Sequence, residues 1–105
     1  MTDCIVVFVT APSEEEAAKM ARALVEERLA ACVNIIKGIR SIYRWEGKIV
    51  DDAEALMVIK TKKALFDALI KRVKELHAYS VPEVIAMPIA AGSEDYLGWL
   101  AEATG

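Results

Sequence analysis

At 105 residues, with 55% apolar and 28% charged side chains, the chain is expected to form a single domain over residues 1–105, burying about two-thirds of its unfolded surface around one core. Its net charge of -3 removes the electrostatic ground for gripping nucleic acid or an anionic membrane. No apolar run approaches the roughly 20 residues of a membrane span. No secretory signal is visible, and two cysteines are too few for a disulfide framework, so a soluble cytoplasmic protein is the expectation.

Cys4 to Val9 is a β-branched run short enough for a buried strand, closed by Thr10-Ala-Pro-Ser13. Ser13 with Glu16 three residues on forms a capping box, and Glu14 and Glu15 suit the positive end of a helix. Ala17, Met20, Ala21, Leu24, Val25 and Leu29 then recur at helical spacing, with the helix fading between Leu29 and Ala31. From Cys32 the chain turns extended. Val33 to Trp45 and Ile49 to Lys60 read as the two long strands of a hairpin turned at Glu46-Gly47-Lys48. Thr61 is placed to cap a second helix, whose buried stripe is Leu65, Phe66, Leu69, Ile70, Val73 and Leu76. The basic run Lys62, Lys63, Lys71, Arg72 and Lys74 reads as a solvated helix face. Val84 to Ile89 is a last strand limited by Pro82 and Pro88. Ser93 can cap a short final helix, on which Tyr96 and Trp99 read as packing residues.

The order β-α-β-β-α-β plus a terminal helix is the split βαβ, or ferredoxin-like, arrangement: an α+β fold with an antiparallel sheet. Right-handed crossovers put both main helices on one face of that sheet. Yet Ile5 to Val9, Ala55 to Ile59 and Val84 to Met87 do not alternate apolar with polar, as strands with one wet face should. Something must cover the second face, and self-association into a homo-oligomer is the economical answer.

Ligand chemistry concentrates in His77-Ala-Tyr-Ser-Val-Pro-Glu83, between the second helix and the last strand. His77 is the sole histidine and the one borderline-soft nitrogen donor; neutral imidazole suits copper, zinc or nickel. Glu83 adds an oxygen donor and Tyr79 a hydrogen bond. The structural alternative makes His77 a helix-end residue bonding the last carbonyls. One histidine is a poor site alone, since transition metals usually gather three or four ligands, so a neighbouring subunit would have to contribute, through Glu54 for example. Cys4 and Cys32 read as core fillers on strands separated by a third. Tyr43, Trp45 and Glu46 beside the hairpin turn read as subunit anchors. Glu54 and Lys60 share one side of their strand with Leu56 and Val58, and each charge there needs a partner.

No nucleophile elbow, phosphate-cradling glycine loop or His-Glu-x-x-His is present, so no enzyme is expected. Acylphosphatases share the topology, but the acidic first loop would repel their substrate. RNA-binding modules of this topology need exposed aromatics on the central strands, where this chain has Val, Ile, Leu and Met, with Phe8 the only aromatic.

Thr10-Ala-Pro, Arg28-Leu-Ala-Ala-Cys-Val-Asn-Ile35, Ser41-Ile-Tyr-Arg-Trp-Glu-Gly-Lys-Ile49, Ile59-Lys-Thr61, His77 to Glu83 and Tyr96-Leu-Gly-Trp-Leu100 together resemble the CutA divalent-cation-tolerance family. The match runs in order over nearly the whole chain. It implies a ferredoxin-like subunit in a homotrimer whose neighbouring strands pair; the net charge and the lack of a long apolar run lead us to expect no nucleic-acid or membrane partner. The resemblance also implies binding of copper(II) or another divalent metal and a role in metal tolerance; the chemistry of the residues themselves makes His77, Glu83 and Tyr79 the expected metal-site residues. The rival expectation is a trimeric small-ligand sensor or signalling scaffold resembling the nitrogen-regulatory proteins. Its intersubunit clefts would lie near Trp45, Lys60, Tyr79, Ser80 and Glu83.

Overall fold

The structure is a computed structural model that describes residues 2–105. It contains β1 (Cys4–Ala11), α1 (Glu14–Glu26), β2 (Cys32–Trp45), β3 (Lys48–Lys62), a 3-10 turn (Lys63–Leu65), α2 (Phe66–Leu76), β4 (Val84–Pro88) and α3 (Glu94–Ala103). The strands form one antiparallel sheet in the order β2-β3-β1-β4, which is the ferredoxin-like arrangement expected from the sequence. None of the described helices is long and apolar enough to cross a membrane.

Local sequence accounts for most element ends. Ser13 accepts a hydrogen bond from the Glu16 amide and Ser93 one from the Tyr96 amide, so both serines cap as their spacing suggests. α1 stops at Glu26 because Arg28 turns into the left-handed region at φ 60°. Trp45 pairs directly with Lys48, leaving Glu46 and Gly47 as a two-residue turn with φ of 49° and 78°. Two successive positive φ values match the right-handed twist of the strands they join.

Thr61 departs from expectation. It caps no helix: β3 runs past it to Lys62, and α2 begins at Phe66 after the 3-10 turn, without a side-chain cap. Thr61 is instead fully buried, its hydroxyl donating to the Leu29 carbonyl at 2.7 Å. A polar side chain inside the core thus fastens the turn after α1 to the sheet.

The core lies between the sheet and α1 and α2. Val7, Val9, Ala11, Met57 and Ile59 meet Ala17, Met20 and Leu24 of α1 and Leu69 and Val73 of α2. The opposite face is apolar too, and open. By register it carries Ile36, Leu56, Val58, Phe8, Ile85 and Met87, of which Ile36, Ile85 and Met87 stay 49%, 55% and 52% exposed. α3 covers one end alone, where Leu100 packs on Cys4 and Ala31. Tyr96 and Trp99 pack on each other, ring centroids 5.5 Å apart, and remain about half exposed outside the core. Cys4 is buried and Cys32 partly so, both as free thiols on strands that β3 separates.

β1 ends opposite Ala55, so the β2–β3 hairpin continues beyond it as a two-stranded arm. A register shift between Ile36 and Ile39, with Gly38 at φ 73°, bends the arm where it leaves the sheet. Glu54 sits at that junction, and the loop from His77 to Glu83 descends beside it.

A cleft between the hairpin arm and the His77 loop

His77 holds the loop through both ring nitrogens. Nε2 lies 2.7 Å from the Thr10 carbonyl, which can only accept, and Nδ1 lies 3.0 Å from the Tyr79 amide, which can only donate. The imidazole is therefore the neutral Nε2–H tautomer, with its one lone pair engaged at Nδ1. Its ring is buried at 9% exposure, 4.7 Å from that of Tyr79. The helix-end reading of this residue holds only for its backbone, whose amide bonds the Val73 carbonyl; the ring reaches across to β1 instead.

Tyr79 carries that anchorage to the arm: its hydroxyl donates to Glu54 Oε2 at 2.6 Å. The Glu54 charge, which needed a partner, finds a hydrogen-bond donor within the chain. Burial, reinforced by the bond to Glu54 and by the carboxylate's charge, pushes the Tyr79 phenol well above its ordinary value. Burial, with Glu54 and Asp52 nearby, also raises Tyr43. Lys60 goes elsewhere. Its ammonium bonds the Asn34 side-chain oxygen, so it takes no part in the cleft where it was expected.

Between loop and arm lies an open cleft of about 610 Å³. Ser41, Tyr43, Trp45 and Glu54 form one wall and Tyr79, Ser80, Val81 and Glu83 the other. Ser41, Tyr43 and Trp45 point together because they alternate along β2, and pairing of Ile39 with Glu54 puts the carboxylate on the same side. Of the sequence-predicted trio, Tyr79 and Glu83 face the cleft, while His77 is buried beside Tyr79. Tyr43 and Ser41 were not foreseen as cleft residues, although their period-two spacing with Trp45 was the available signal. Among the described residues no three histidine, cysteine or carboxylate groups converge as a metal site, so one chain alone does not supply a closed coordination shell.

A ferredoxin-like α+β chain with an acidic, aromatic-walled cleft at the root of a long hairpin defines the class. The chain belongs to the CutA1 divalent ion tolerance family, whose pattern matches residues 5–103. The divalent-cation tolerance protein CutA of Thermus thermophilus is 58% identical over 100 residues, which are 95% of this chain and 97% of that protein. The chloroplastic protein CutA of Arabidopsis thaliana is 52% identical over 95% of this chain, which spans 55% of the plant protein. The solved Thermus thermophilus divalent cation tolerance protein superposes with a TM-score of 0.94 at 57% identity, covering 97% of this chain and 99% of that one. The structure described as the periplasmic divalent cation tolerance protein CutA of Archaeoglobus fulgidus gives 0.94 at 40% identity, over 97% of this chain and 99% of that one. The family is described by ion tolerance and is not a known enzyme family.

Proposed function

We propose that this protein serves divalent-cation tolerance as a homotrimer that takes up copper(II) or another divalent metal ion at the mouth of the cleft. The observation that carries this reading is electrostatic: the cleft wall presents Glu54 and Glu83, with Asp52 close by, and no lysine or arginine. Such a wall attracts cations. Glu83 supplies an exposed carboxylate and Tyr79 a phenolic oxygen. His77, whose ring is buried beside the cleft, would add a nitrogen donor if Nδ1 gave up the Tyr79 amide. That exchange would give up one hydrogen bond, a net cost of about 1 kcal/mol, which a metal–imidazole bond would have to offset. The remaining positions fall to water or to a second copy, since a single chain gathers too few donors. A cytoplasmic location accords with two unpaired thiols.

The test is a calorimetric copper(II) titration of metal-free protein beside His77→Ala and Glu83→Gln. Saturable binding at a whole-number ratio per trimer, abolished by His77→Ala and weakened by Glu83→Gln, is the expected result. Absence of saturable binding in the wild type removes the metal reading.

A further inference from the structure

We infer that the inner part of the same cleft is a binding site for a small organic cation, an amine or quaternary ammonium compound, seated on the Glu54 carboxylate between aromatic side chains. This goes beyond the metal reading, because a cavity of about 610 Å³ has the size of a small-molecule site and far exceeds what one ion fills. Three features of the cleft bear on the ligand's chemistry.

Glu54 is 7% exposed and makes one hydrogen bond, at Oε2. Among the described residues its Oε1 has no hydrogen-bond partner and the carboxylate no cation in ion-pairing range, while the side chain lines the cleft. Since no buried side-chain oxygen among the described residues lacks a partner, Oε1 is reached from the cleft, and a cation arriving there meets a carboxylate with no other counter-charge. Next, Tyr43, Trp45 and Tyr79 line the same cleft. Their ring faces carry negative electrostatic potential and favour a cation over a neutral group of equal shape, most of all one too weakly hydrated to prefer water. Finally, Tyr79 spends its hydroxyl proton on Glu54, and Ser41 and Ser80 supply small polar groups at the edges. A carboxylate floor with aromatic sides is the arrangement that recognises alkylammonium groups.

The test uses the intact protein in a Trp99→Phe background, which leaves Trp45 as the sole tryptophan reporter. Choline and tetramethylammonium are titrated at constant ionic strength by fluorescence and calorimetry. The control is 3,3-dimethylbutan-1-ol, the neutral isostere of choline. We expect saturable quenching by both cations and binding of the isostere at least about tenfold weaker, which is about 1.4 kcal/mol. A similar loss is expected in Glu54→Gln, whose amide oxygen can still accept from Tyr79, and in Trp45→Ala, a position 44% exposed in the chain, with light scattering checking that each variant keeps the wild-type assembly. No saturable binding of either cation overturns the inference, as does equal binding of the neutral isostere or undiminished binding in both variants. Copper(II) uptake is measured on the same samples. Copper uptake without cation binding overturns this inference and leaves the metal reading standing; cation binding without copper uptake does the reverse.

Discussion

His77 has no lone pair to spare in the folded chain: one ring nitrogen is bonded to a β1 carbonyl and the other to the amide of Tyr79. Replacing it with alanine should free the loop as well as remove a donor. We expect His77→Ala to lose about 2 kcal/mol from a buried carbonyl and amide left unpaired, read from urea midpoints; an unchanged midpoint would show that water replaces the ring at no cost. Tyr79 gives a pH signature. Its folded value lies above the unfolded one of about 10, so the stability tied to the neutral phenol is complete below about pH 10 and is lost as pH rises through the raised folded value. Tyr79→Phe should flatten that alkaline decline, whereas an equal slope in both proteins would contradict the assigned environment. The sequence marked His77, Tyr79 and Glu83 as the chemistry-bearing loop. It could not show that His77 seeks the Thr10 carbonyl or that Tyr79 meets Glu54, since every residue has a carbonyl and both pairings depend on how distant strands meet.

The element order, the caps at Ser13 and Ser93, and the Glu46-Gly47 turn were legible because each rests on contacts within a few residues. Gly47 illustrates how local the control is: a Cβ there meets nothing within 4 Å, so only the backbone resists one. Gly47→Ala should therefore cost about 1 kcal/mol through its positive φ alone, without altering cleft ligands. Thr61 failed as a cap because a bond to Leu29, 32 residues earlier, outweighed its local propensity. Thr61→Val keeps the shape and deletes the hydroxyl, and should cost about 1–2 kcal/mol by orphaning that carbonyl. A neutral effect in chemical denaturation would mean that the turn after α1 is held by packing instead. The arm was foreseen as a hairpin, but its bend at Gly38 was not, since a register shift shows in pairing and not in composition.

At the scale of the molecule, the two-faced apolar strands were the sequence's clearest statement about assembly, and the fold keeps that face open beyond the reach of α3. Ile85 sits opposite Phe8 on it. We expect a trimer by light scattering at micromolar concentration, and a shift toward monomer in Ile85→Lys, where a charge would have to be buried; a monomeric wild type would rule out self-association as the cover. The same assembly would decide whether the cleft ends in solvent or against a neighbour, and so how a metal completes its coordination.

The most direct test of cation uptake through the His77 loop is electron paramagnetic resonance of the protein loaded with one equivalent of copper(II). We predict splitting from a single imidazole nitrogen in the wild type that disappears in His77→Ala. A spectrum of hydrated copper, unchanged between the two proteins, would contradict it.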